Sequence, residues 1–298
     1  MIYDDFYSCL DKSGIEFETD CITRDLVSLK IGGKAKAGVF PKTKDELLHI
    51  LNKLRDTKHT VIGNGTNVYF VDSAYDGVIV VTRNMDWLKF ENEHMICGCG
   101  VSLFDACRYA LDASLSGIEF AYGIPGTVGG AICMNASAFG AEISQLVVSS
   151  VVYDVARETV REISYEEHDF SPKHSAFKSG GLVLIESKLK LTFGEKRNIY
   201  RTMLANISKR EKTQPLDYPS AGSIFVRPKG YYASKLIDEC GLKGLTYGGA
   251  QVSKKHAGFI INLGEATSSD VNFLIDAIKT KVFEKFGVEL KEEVIYLE

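Results

Sequence analysis

No apolar run in the sequence approaches the roughly 20 residues that span a bilayer. The opening stretch, MIYDDFYSCLDKSG, is acidic where an export signal carries a basic flank. Together these absences predict a cytoplasmic protein with no membrane partner. Positive charge is not in excess either. With 35 Lys and Arg against 39 Asp and Glu the net charge is -4, so a general nucleic-acid partner is not expected. Cysteine is scarce and odd in number, seven in all, which fits reduced thiols better than a disulfide framework. The Cys97/Cys99 pair lacks the second pair that a zinc site requires, so the cysteines read as core residues and no metal is expected. There is no internal repeat, no low-complexity linker and no Walker A motif.

What is present is enough apolar sequence, 45% of 298 residues, to bury a sizeable core in two or three packed units. KDELLHILNKLRD (44 to 56) has helical spacing at Leu47, Leu48, Leu51 and Leu54, with Thr43 as N-cap. HTVIGNGTN reads as a strand ending in a turn at Gly63 and Gly65, and YDGVIVVT and HMICGCG read as further strands. SLFDACRYALD predicts a helix capped by Ser102, with Leu103, Cys107, Ala110 and Leu111 inward. From about 146 to 190 the sequence is β-rich. Near 196 it changes to KRNIYRTMLANISKREKT, a helical pattern with six basic residues and one acidic residue. The last long helix, 268 to 286, places Val271, Leu274, Ile275, Ile278, Val282 and Phe286 on one face. The change near 195 predicts a domain boundary.

Two glycine-rich stretches invite a ligand. AYGIPGTVGGAICMNA (121 to 136) sets Gly123, Gly126, Gly129 and Gly130 around Pro125 and Thr127, bare backbone whose amides suit an anion such as phosphate. Gly63-Asn64-Gly65-Thr66-Asn67 follows a strand but is not a G-x-G-x-x-G turn opening a long helix, which argues against a nicotinamide-binding Rossmann unit. Two such loops suit a long ligand with a central diphosphate, such as FAD. By spacing alone, two unrelated tight turns explain them equally well.

Six blocks then add a resemblance. IGGKAKAGVFPKTKDEL (31 to 47), IGNGTNVYFVD (62 to 72), GIEFAYGIPGTVGGAICMNASAFG (117 to 140), QPLDYPSAGSIF (214 to 225), AQVSKKHAGFIIN (250 to 262) and GVELKEEVIYL (287 to 297) follow the order seen in the UDP-N-acetylenolpyruvoylglucosamine reductase family, and the chain resembles its shorter subclass. The resemblance implies an α+β protein. A two-subdomain FAD-binding domain of the vanillyl-alcohol-oxidase type, residues 1–195 (about 1–83 and 84–195), would precede a smaller α+β substrate-binding domain, 196–298. It further implies noncovalent FAD, held by amides of 63 to 67 and 123 to 130, with NADPH as hydride donor and an enolpyruvyl UDP-sugar as substrate. A monomer is expected.

The family reduces an enol ether to a lactyl ether on the way to peptidoglycan. An electron-rich enol ether accepts hydride only if charge flows into its carboxylate, so such a site needs a cation, a carboxylic acid and a fixed proton donor. Ser223, in SAGSIF, matches the family's proton-donating serine, and Glu293, in KEEVIYL, matches its C-terminal glutamate. Taken alone, Ser223 would be a turn-capping serine and Glu293 part of a solvated edge beside Glu292. The sequence departs from the family at FSPKHSAF (170 to 177), where Tyr-Arg-x-Ser-x-Phe is usual: Pro172 replaces the tyrosine and Lys173 the arginine, while Ser175 and Phe177 remain. Lysine keeps the charge and loses the two-pronged contact of guanidinium. His174 offers a second donor or is simply a solvent-facing loop residue. A second departure, Val226-Arg227, touches substrate binding; Arg227 and Lys212 are candidates to meet the UDP diphosphate, although most charges of the basic helix only solvate its face. Two other readings stay open: another FAD oxidoreductase of this fold acting on a sugar or alcohol, and a non-catalytic nucleotide-binding protein. Covalent-flavin members usually need a histidine near the cofactor, and neither glycine loop contains one.

Overall fold

The structure, a computed structural model, describes residues 2–298. These residues fall into two compact units that are not continuous in sequence. One gathers the chain up to Thr19 with Ala37–Asn64 and Gly77–Ser208; the other gathers Asp20–Lys36, Gly65–Asp76 and Lys209–Glu298. No cut at 195 separates them, because two short early segments join the C-terminal part.

The first unit is built on a five-stranded antiparallel sheet in the order Thr159–Ser164, Val147–Asp154, Leu182–Lys190, His94–Gly98, Leu88–Glu91. A second sheet pairs His59–Ile62 parallel to residues 78 to 81 and Phe17–Thr19 antiparallel to residues 37 to 39. Val78 to Val81 are fully buried, as expected of an apolar run with both faces covered. Helix Lys44–Lys53 starts where Thr43 Oγ1 accepts from the Glu46 amide, and it buries Leu47, Ile50 and Leu51. With buried Leu54 these lie at i, i+3, i+4 and i+7, so Ile50 belongs to the inward face and Leu48, expected there, is half-exposed. Helix Leu103–Asp112 is capped by Ser102 and buries Leu103, Ala106, Cys107 and Ala110; Leu111 is half-buried. Each such fully buried aliphatic side chain contributes about 1.5–3 kcal/mol.

The second unit owes its discontinuity to pairing. Strand Val68–Phe70 lies parallel to the C-terminal strand Ile295–Leu297, and the Gly33 amide donates to Val71 O at 2.9 Å. A side chain at Gly33 would meet the Asp72 and Ser73 carbonyl oxygens within 2.3 Å, so the two early segments touch backbone to backbone. Asp72 accepts from the Ser268 amide and hydroxyl at the start of helix Ser268–Phe286, which Thr267 and Asp270 also cap reciprocally. The helix buries Val271, Leu274, Ile275, Ile278 and Val282 against a four-stranded sheet in the order Ser220–Ser223, Phe259–Asn262, Ala250–Val252, Thr246–Tyr247. All seven cysteines are free thiols. Cys21, Cys97, Cys99 and Cys107 are buried as expected; Cys9, Cys133 and Cys240 are only half-buried. Among the described residues no helix is long and apolar enough to cross a membrane, and no cluster of three or more His, Cys, Asp or Glu could hold a metal ion.

Candidate active site

Within the first unit, Gly63 and Asn64 meet the second glycine loop. Asn64 Nδ2 donates to Pro125 O at 3.3 Å, and a side chain at Gly63 would lie 2.4 Å from Thr127 Oγ1, so the loops pack flush. Thr127 caps helix Val128–Cys133 by accepting from the Gly130 amide at 3.1 Å, while the Val128 and Gly129 amides donate to Val101 O and Cys99 O. Gly129 therefore serves close packing: an added Cβ would sit 2.8 Å from Cys99 Cβ. Among the described residues of the first unit's two loop segments, the amides of Asn64, Gly123, Gly126 and Thr127 make no backbone hydrogen bond outside helices and strands. Those are the donors left for an anion. Glycine is needed at Gly65 and Gly123 for backbone conformation as well, with φ of +60° and +87°.

Pro172 and Lys173 form the tip of a tight turn. Ser171 and His174 pair with each other through both backbone bonds, leaving Pro172 and Lys173 as the two-residue tip. Proline fixes φ near −65° and Lys173 has φ of +60°, the order of a type II turn. This left-handed conformation costs a lysine roughly 1–2 kcal/mol. The turn is fastened on both sides to the end of helix Val128–Cys133. Buried Ser175 donates from Oγ to Cys133 O at 2.7 Å, and buried Asn135 donates from Nδ2 to Ser171 O at 3.1 Å. Lys173 itself is half-buried. His174 is exposed and lies 3.4 Å from Asp169. Nearby His168 is fully buried: Nδ1 donates to Ser164 O, Nε2 accepts from Ser150 Oγ, and burial pushes its pKa below the ordinary value.

In the second unit the structure brings Ser223 and Glu293 onto neighbouring segments. Ser220 pairs with Ile261 and Ser223 with Phe259, three steps against two, so the strand carries a bulge. Gly222 supplies it with φ of +75°. Beyond the bulge, the Glu293 amide donates to Ile224 O at 2.7 Å and the Val226 amide to Lys291 O at 2.9 Å. Ser223 and Glu293 are both half-buried. The neighbouring carboxylate, Glu292, is exposed and paired to Lys279 Nζ at 2.8 Å, which separates the two glutamates chemically. Asn67, at the end of the first glycine loop, donates from Nδ2 to Glu293 O at 3.0 Å and accepts from the Ile295 amide.

The remaining candidates are exposed. Lys212 lies in the last turn of helix Lys196–Thr213. Of that helix's six basic residues only Arg210 is buried, and burial lowers its pKa. Arg227 donates from Nε to Tyr231 O and stacks over the Tyr232 ring at 3.9 Å. Sequence reasoning missed Ser28, whose hydroxyl donates to Ser220 O at 2.6 Å, and Asn135 as anchor of the Lys173 turn.

Comparison with known proteins identifies the family. Residues 35–164 match the family model described as an FAD binding domain, and residues 214–297 match the C-terminal domain of UDP-N-acetylenolpyruvoylglucosamine reductase. The chain is 41% identical to a UDP-N-acetylenolpyruvoylglucosamine reductase of Caldicellulosiruptor bescii over 98% of its length and 94% of that protein's. It is 38% identical to the Clostridium tetani protein of that name over 99% and 97%. The crystal structure of the Thermus caldophilus reductase superposes with a TM-score of 0.81 at 29% identity, covering 95% of this chain and 99% of that one. A berberine bridge enzyme variant, described as a reticuline dehydrogenase, shares the fold at a TM-score of 0.51 and 16% identity, over 64% of this chain and 43% of its own. The amides of Asn64, Gly123, Gly126 and Thr127 suit a diphosphate such as that of FAD. The chain belongs to the UDP-N-acetylenolpyruvoylglucosamine reductase family.

Proposed function

We infer that the protein is an FAD-dependent, NADPH-oxidising enzyme that reduces the enolpyruvyl ether of its UDP-N-acetylglucosamine substrate to UDP-N-acetylmuramate for peptidoglycan synthesis. Bound FAD supplies hydride transfer from NADPH to the substrate's methylene carbon. The chain's own residues manage the charge and the proton. Lys173 supplies the cation facing the substrate carboxylate as negative charge accumulates there, a contribution of about 2–4 kcal/mol for one well-placed donor. Glu293, protonated, donates a hydrogen bond to the same charge. Ser223 gives its Oγ proton to the adjacent carbon; a serine hydroxyl is a weak acid, and a strongly basic enolate is an acceptor that suits it.

The observation that carries this reading is the placement of Ser223 and Glu293 on adjacent segments, with a glycine bulge directly before the serine. Residues 63 to 67 and 123 to 130 hold the cofactor, with Gly63, Asn64, Gly65, Thr66, Asn67, Gly123, Pro125, Gly126 and Thr127 facing it and Gly129 and Gly130 letting the helix approach. Residues 1–195 then serve mainly FAD and 196–298 mainly substrate, with Lys212 and Arg227 meeting its diphosphate. The enzyme works as a cytoplasmic monomer on small molecules and binds no nucleic acid. The test is anaerobic: the purified yellow protein is bleached by NADPH and its colour returns on adding the enolpyruvyl sugar nucleotide without oxygen. A flavin that NADPH bleaches and the sugar nucleotide leaves reduced would exclude this substrate.

A further inference from the structure

Ser28 lies in none of the glycine loops and beside none of the proposed catalytic residues in sequence. It is nevertheless bonded in two directions. Its hydroxyl donates to Ser220 O at 2.6 Å, and its amide donates to Gly65 O at 3.0 Å. Both contacts sit on rigid supports. A Cβ at Gly65 would lie 2.2 Å from Leu26 O, so the segment before Ser28 rests directly on that glycine. The segment after it is held by buried Asn262, whose Nδ2 donates to the carbonyls of Leu29 and Lys30 at 3.1 and 3.3 Å.

The strand Ser28 grips is the one that needs gripping. A bulge breaks the regular ladder and lets a strand bend. Here the break falls between Ser220 and Ser223, and the next backbone fastening beyond it is the Ile224 amide to Gly258 O. The direction in which Ser223 points is thus set by where the strand enters the bulge, and Ser220 is that entry. We propose that Ser28 is a positioning residue for Ser223, holding the entry of the bulged strand at a fixed distance from Gly65. This rests on the reading of Ser223 as proton donor. Two residues beyond Gly65, the Asn67 amide group holds the Glu293 carbonyl, so one end of the glycine loop fixes both segments.

The test combines Ser28→Ala, Ser223→Ala, the double variant and Ser28→Thr, each FAD-loaded. Ser28→Ala should slow flavin reoxidation by the enolpyruvyl sugar nucleotide by about tenfold or more, with reduction by NADPH within about twofold of wild type. The double variant should be no slower than Ser223→Ala alone, because Ser28 acts only through Ser223. Ser28→Thr, which keeps the hydroxyl, should restore the rate. Amide hydrogen exchange should rise in residues 220 to 225 of Ser28→Ala and stay unchanged in the five-stranded sheet of the first unit. A wild-type rate in Ser28→Ala beside a slow Ser223→Ala, or an additive loss in the double variant, would overturn the positioning role and leave the role of Ser223 standing. A wild-type rate in Ser223→Ala would overturn the reading of Ser223 itself, and the positioning role with it.

Discussion

Lys173 combines two properties seldom asked of one lysine: it offers a cation and it occupies a left-handed turn position after proline. Substitutions separate the two. Lys173→Met should cut flavin reoxidation by the substrate by roughly 10² or more, with NADPH oxidation by artificial acceptors little changed, whereas Lys173→Arg should retain or improve the rate. Lys173→Gly removes the charge and relieves the backbone, so its denaturation midpoint should match or exceed wild type while its reoxidation is as slow as that of Lys173→Met. A glycine variant that reoxidises normally would move the cationic role to another residue, with His174 and Arg227 next in line. At this scale the sequence was readable where a bond joins residues close in the chain, as for the helix caps Thr43 and Ser102. Ser28 and Asn135 were not, since their partners stand 192 and 36 residues away and no local pattern records such a bond.

Among the elements, the bulge before Ser223 is the most exposed to test. An added methyl at Gly222 meets no atom within 4 Å, so Gly222→Ala suffers only the backbone penalty of φ +75°, roughly 1–2 kcal/mol. Straightening the bulge would redirect Ser223, so stopped-flow reoxidation should fall far more than a thermal melt shows stability to fall. Equal, modest losses in both would make Gly222 a turn residue only. Long periodic elements such as Lys44–Lys53 and Ser268–Phe286 could be read from spacing and caps. Helix Val128–Cys133 could not: two of its six residues are glycines, poor helix formers, and its amides are set by Val101 and Cys99, contacts that override propensity.

For the whole molecule, the discontinuous units were hidden from sequence because Val68–Phe70 finds its partner in Ile295–Leu297 at the far end of the chain. Burial lowers the pKa values of two histidines, fully buried His168 and half-buried His256. A lowered folded value means that the unfolded chain binds protons first. Their stabilising contribution is therefore present above the unfolded value near 6.5 and is lost as pH falls through the folded values. The urea midpoint should drop between pH 7.5 and 5.5, and His168→Gln should drop less over that interval; a parallel drop would assign the acid sensitivity elsewhere. Acid precipitation should release all the flavin into the supernatant, since the loops offer amides and no histidine for a covalent link. Colour in the pellet would contradict noncovalent binding.

The central claim, that Ser223 delivers the proton that completes reduction of the substrate, is tested most directly by Ser223→Ala in two separate anaerobic half-reactions. NADPH should reduce its flavin at close to the wild-type rate, and reoxidation by the enolpyruvyl sugar nucleotide should be slower by roughly 10² or more. Equal slowing of both half-reactions, or of neither, would contradict it.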